Sequence, residues 1–170
     1  MNKFFMLVIM TLLGGQIVFG QSAKEIAKIG INSTVSIVTL DNISQPLGYG
    51  SGFIIGNEQI VTNVHVIEGG NSAYILKNGE QKKYSVDGYV AIDKLNDLVI
   101  LRITGLYGSP LQLADSTLPE IGERIFAVGN PKGLDGTFSE GIINGVRTIQ
   151  SRKVLQITAP ISPGSSAVLS

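Results

Sequence analysis

The sequence predicts an all-β protein, a barrel or a sandwich, on three observations. Apolar, β-branched runs of four to nine residues recur along the chain with turn residues between most of them. Charged residues make up only 15% of the 170, against roughly 25% in ordinary soluble domains. Glycine is abundant at 21 residues, which favours strands joined by tight turns over long amphipathic helices.

The elements follow in order. A short polar helix is predicted around Lys24 to Ile29, and "TVSIVTL" (34–40) is a strand by its β-branched residues and partial alternation. "GSGFII" (50–55) and "QIVT" (59–62) flank Gly56-Asn57-Glu58, a hairpin signature. "SAYIL" (72–76) and "YSVDGYVAI" (84–92) flank Lys77-Asn78-Gly79, where Asn-Gly favours a tight hairpin turn. "LVILRI" (98–103) is a buried strand, and "RIFAVG" (124–129), "FSEGIING" (138–145) and "VLQIT" (154–158) continue the series beyond Pro119. The polar, turn-rich stretch between Leu111 and Gly122 divides a first unit, about 30–115, from a second, about 120–170.

The first residues belong to a different kind of segment. Lys3 precedes the apolar run Phe4 to Leu13, small residues stand at Val18 and Gly20, and no charge returns before Lys24. That pattern predicts a secretory signal peptide over 1–20 with cleavage after Gly20, so that 21–170 is the exported domain, periplasmic or secreted. An uncleaved membrane anchor is the alternative; cleavage leaves the domain with no membrane partner.

Composition excludes several function classes. Lys plus Arg equal Asp plus Glu at 13 each, so no basic footprint for nucleic acid exists. With no cysteine, disulfides and thiolate chemistry are ruled out; with one histidine a zinc site would have to come mostly from carboxylates, and no cofactor is expected.

Three side chains remain for chemistry. His65 stands at the end of an apolar strand and is followed by a short helical stretch ending at Gly69-Gly70, a rigid mounting with the ring at an opening. An imidazole so placed can take and return a proton near neutrality. Asp97 precedes Leu98-Val99-Ile100-Leu101 directly, which predicts a carboxylate at the edge of a core, in need of a partner such as an imidazole. Asp93, four positions earlier, competes for that role. Ser166 follows Pro163-Gly164-Ser165, where glycine permits a turn that aims backbone N–H groups at an oxyanion. The order His, Asp, Ser is one of the known orders of a catalytic triad.

Four blocks, "GSGFIIGNEQIVTNVHVIEGG", "NDLVILRI", "VGNPKGLDGTFSEGIING" and "APISPGSS", resemble the trypsin-like serine proteases, and most of all their bacterial HtrA/Deg branch. The resemblance runs from about residue 30 to 166. It implies two six-stranded antiparallel barrels with an active site between them. It also implies His65 as general base, Asp97 as its orienting carboxylate, Ser166 as nucleophile, and an oxyanion hole from the backbone N–H groups of Gly164 and Ser166. The implied partner is a peptide or unfolded protein substrate.

The sequence also departs from that family. The family has glycine after its nucleophile where this chain has Ala167, and the family's second barrel continues for several strands past the serine. The expectation is therefore a chain truncated after the nucleophile, with an incomplete second barrel and little or no peptidase activity of its own. The alternative function is an inactive, protease-like module that binds peptides.

Overall fold

The computed structural model describes residues 22–114, 118–129, 136–149, 152–161 and 167–169. The predicted signal segment at 1–20 lies outside them. The described residues form α1 (Ala23–Ser33), β1 (Thr34–Leu40), β2 (Pro46–Gly56), β3 (Gln59–Thr62), α2 (Val64–Ile67), β4 (Ser72–Lys77), β5 (Lys83–Ser85), β6 (Gly88–Asp93), β7 (Leu98–Arg102), β8 (Arg124–Gly129), β9 (Thr137–Ile149), β10 (Arg152–Ile157) and β11 (Ala167–Leu169).

The helix at the start runs one residue before and four residues beyond the predicted 24–29, and its first turn is well capped. Ser22 Oγ accepts from the Glu25 amide while the Glu25 carboxylate accepts from the Ser22 amide. Two amides that a helix start leaves unpaired are thereby satisfied, with an acid at the positive end of the helix dipole.

The first seven strands form one antiparallel sheet in the order β5-β4-β1-β2-β3-β7-β6. β5 and β6, neighbours in the chain, lie at its opposite edges. Laid flat, those edges would stand about 29 Å apart at about 4.8 Å per strand. The chain from Ser85 to Gly88 can span only about 11 Å. The sheet must therefore roll into a barrel. The seam is visible in two successive amides: Val86 N donates to Ala73 O of β4, and Asp87 N donates to Arg102 O of β7. The run 84–92, predicted as a single strand, thus divides in two as it crosses from one edge to the other. Counted as one bent strand, it leaves the six-stranded barrel that the family resemblance implies.

Side chains from β1, β2, β3, β4 and β7 fill this barrel. Val35, Ile37, Ile54, Ile60, Ile75, Val99, Leu101 and Ile103 are almost wholly buried, with Val66 of α2 packed among them. The hydroxyls caught inside are satisfied by main-chain carbonyls: Thr34 donates to Gly30 O, Thr39 to Val66 O and Thr62 to Ser51 O. Burial of an unpaired hydroxyl would cost stability, so each of these bonds also fixes where its strand lies.

The second sheet holds four strands in the order β10-β9-β8-β11. Its core is smaller and separate, centred on Ile125, Ala127, Ile143 and Ala159. The expectation of a second barrel less complete than the first agrees with this sheet. β8 lies in its interior, paired with β9 on one side and with Ala167–Leu169 on the other. The stretch that departs from the family pattern thus adds a strand to the sheet. α1 sits against both sheets. Its Ser33 hydroxyl reaches Ser109 O, and Asn78 of the β4–β5 turn donates to Ile31 O.

Glycine is required at a point of close approach on β2. A Cβ at Gly52 would lie 2.8 Å from Val61 O and 3.1 Å from Ile37 Cδ1. The obstacle is backbone and core, neither of which can swing away. Gly52→Ala is expected to destabilise the protein by about 1–3 kcal/mol, the usual penalty for overpacking, read as a lower urea midpoint with an unchanged slope.

Candidate active site

β3 and β7 pair with Thr62 opposite Val99. The residues just after Thr62 therefore meet those just before Val99, and His65 and Asp97 come together although 32 positions separate them. His65 Nδ1 lies 2.6 Å from Asp97 Oδ2, and the His65 amide donates to Asp97 Oδ1 at 3.0 Å. One carboxylate thus holds both the backbone and the ring of the histidine.

The main chain of Asp97 takes part as well. Its carbonyl accepts from the Val64 amide at 3.2 Å and from Asn63 Nδ2 at 2.9 Å. Asp97 has φ 57°, in the left-handed region that aspartate tolerates better than most residues. Asp93, the competing carboxylate, is engaged in its own turn: Oδ1 accepts from the Asn96 amide and Oδ2 from the Asn96 carboxamide at 2.6 Å. The turn thus separates the two acids, one building the loop and the other facing the ring.

α2 mounts the histidine. Val66, the next residue, is buried in the barrel core, and its carbonyl is held by the Thr39 hydroxyl at 2.7 Å. A Cβ at Gly50 would strike the Val66 side chain, so the absence of one is what lets α2 lie close on β2. The neighbouring side chain anchors the turn while the ring stands outside; the His65 side chain is 65% exposed and that of Asp97 38%.

Asp97 is less buried than a place at the edge of the core suggests. Burial pushes its carboxyl upward, but hydrogen bonds from the His65 amide and ring, the imidazole's charge and the Val64 amide together bring it below the usual aspartate value. The carboxyl is therefore ionised at neutral pH and can only accept hydrogen bonds. Its partner Nδ1 must carry the proton, which leaves the Nε2 lone pair of a neutral ring free to act as a base. Among the described residues Nε2 has no hydrogen-bond partner.

Ser166, Gly164 and the loop after Gly129 lie outside the described residues. Of the three predicted catalytic side chains, the structure therefore describes the two from the first barrel, as a bonded pair. The residues missing from the sequence reading are Asn63 and Thr39, which fix the pair through main-chain carbonyls. Asn63 lies inside the histidine block, but nothing in its type or spacing points to a carbonyl 34 positions away. No group of three or more His, Cys, Asp or Glu side chains suited to a metal occurs among the described residues.

Comparison with known proteins gives consistent findings. Residues 50–167 match the family model of the trypsin-like peptidase domain. The chain is 34% identical over 139 residues to "Protease Do-like 1, chloroplastic" of Arabidopsis thaliana, covering 75% of this chain and 31% of that protein. It is 31% identical over 147 residues to "Anti-sigma-I factor RsgI9" of Acetivibrio thermocellus, covering 85% of this chain and 20% of that protein. The crystal structure of the serine endoprotease from Yersinia pestis superposes with a TM-score of 0.74 at 25% identity, over 88% of this chain and 53% of that one. The chain thus spans about a third or less of the length of these two curated relatives.

The pairing makes a prediction in acid. The Asp97 carboxyl has a lower value folded than unfolded, so its contribution to stability is complete above the unfolded value, about 4, and is lost as pH falls through the folded one. Thermal unfolding of the native chain and Asp97→Asn, compared from pH 7 downward, should show the native advantage shrinking below about pH 4. A constant difference down to acid pH would show that Asp97 is not held as a bonded carboxylate.

Proposed function

This chain belongs to the trypsin-like peptidase family, and within it we propose that the fold carries the chemistry of an HtrA/Deg-type serine endopeptidase acting on peptides or unfolded proteins. The observation that carries this reading is the His65–Asp97 pair, with an ionised carboxylate on Nδ1 and Nε2 left as the base. In this reading Ser166 Oγ attacks the scissile carbonyl and gives its proton to His65 Nε2. The oxyanion is held by the amides of Gly164 and Ser166. The C–N bond then breaks as Nε2 returns the proton to the departing amine, leaving an acyl-serine. Water, activated by the same nitrogen, attacks that ester and releases the acid. Asp97 keeps the imidazole oriented and balances its charge whenever Nε2 is protonated.

The proposal extends to location and extent. Removal of residues 1–20 on export leaves 21–170 as the peptidase domain, with a first barrel over about 30–115 and part of a second over about 120–170. Support for export comes from the charge-free apolar segment after Lys3. No helix among the described residues is long and apolar enough to cross a membrane.

Ala167 bears on rate. The family has glycine at that point, and an added Cβ next to the nucleophile limits how closely backbone and substrate can approach. A displacement of about 1 Å costs around 100-fold in such a reaction. The expected result with a fluorophosphonate probe is slow labelling of the native chain, faster labelling of Ala167→Gly, and none of Ser166→Ala. Equal signals from all three would overturn the endopeptidase reading and leave a peptide-binding module as the better account.

A further inference from the structure

Asn63 occupies the position before the first residue of α2, where an asparagine ordinarily accepts a hydrogen bond from the helix's own amides. Here it makes no such bond. Its carboxamide turns instead across to the facing loop and donates to Asp97 O at 2.9 Å. That carbonyl also accepts the Val64 amide, so two successive residues of the β3–α2 junction grip one peptide group. The gripped residue has φ 57°, a conformation that an L-residue leaves readily unless it is held. This same residue must direct both carboxylate oxygens at His65, Oδ1 to the amide and Oδ2 to the ring.

We infer that Asn63 is a positioning residue of the His65–Asp97 pair: by holding the Asp97 carbonyl it keeps Asp97 in the left-handed conformation from which one carboxylate serves both the main chain and the ring of His65. Asn63 acts through Asp97. Its catalytic meaning rests on the endopeptidase reading, whereas its geometry does not.

The chain has a single histidine, so its ring nitrogens can be observed by NMR in uniformly 15N-labelled protein without ambiguity of assignment. At about pH 8, where an ordinary imidazole is neutral, the native ring should be almost wholly the Nδ1–H tautomer. Asn63→Asp is the informative variant. It retains an acceptor able to cap the helix but replaces the donor by an acceptor facing a carbonyl, whereas Asn63→Ala removes both groups. The inference expects the ratio of Nε2–H to Nδ1–H tautomer to rise about tenfold in Asn63→Ala, as for one ordinary hydrogen bond lost, and at least as far in Asn63→Asp. A role in capping alone predicts the reverse order, with Asn63→Asp native-like.

A native tautomer ratio in both variants would overturn the inference. Should Asn63→Asp fail to fold, Asn63→Ala and Asn63→Ser are read in the same way, and a native ratio in both is equally fatal. The ring signals need no turnover. A native chain that shows the paired tautomer, loses it in the variants and never labels with fluorophosphonate would sustain this inference and sink the peptidase reading. The opposite result, strong labelling with the ratio unmoved in the variants, would sink the inference alone.

Discussion

The register of β3 against β7 is the constraint from which the site follows. Thr62 faces Val99 and Gln59 faces Arg102, so four residues from one part of the chain are matched to four from some forty positions away. A slip of one residue would reverse the faces of Ile60 and Leu101, both buried in the barrel, and expose apolar surface along the whole pair. Core packing thus holds the register, and the register brings His65 to Asp97. The hydrogen bonds at the site refine an approach that hydrophobic burial has already enforced.

Closure of the barrel supports that register from the other side. β7 has β3 on one edge and β6 on the other, and β6 reaches its place only because Val86 and Asp87 bridge the seam. The Asp87 carboxylate strengthens this point by accepting from the Thr104 amide at 2.6 Å, a bond that, with the nearby Arg102 charge, holds its carboxyl below the usual aspartate range. A seam built on main-chain amides is rigid where it must be. The β6–β7 turn that carries Asp97 hangs between two fixed strands.

Much of this was legible in the sequence, and the part that was not has a physical reason. Strand runs rich in Val, Ile and Thr stood where predicted because a pleated, half-buried surface selects those residues. His65 and Asp97 were identifiable because each sits at the junction of an apolar run with a polar one. The division of 84–92 was only locally marked, by Asp87-Gly88, two residues disfavoured in strands that stand where the chain crosses to the opposite edge. The choice of Asp97 over Asp93 could be argued from its junction with the apolar run. The structure pairs Asp97 with the ring, while Asn96, through its amide and side chain, engages the Asp93 carboxylate. Asn63 had no signature at all. A side-chain bond to a carbonyl in a distant loop depends on register, and register is a property of the assembled sheet.

The exposure of the pair bears on how it works. At 2.6 Å the ring–carboxylate bond is short, yet with the His65 side chain 65% and the Asp97 side chain 38% accessible it stands largely in water. In that setting the attraction between a carboxylate and an imidazolium is heavily screened and worth little by itself. Orientation must therefore come from hydrogen bonds: the His65 amide on the ionised Oδ1, and the double grip of two uncharged donors on the Asp97 carbonyl. In the proposed reaction, a peptide laid over the ring would displace that water and lower the local dielectric, strengthening the electrostatic part when the ring takes up a proton. The fold thus separates two tasks. Hydrogen bonds set the orientation beforehand, and in the proposed reaction charge stabilisation would grow where a bound peptide excludes solvent.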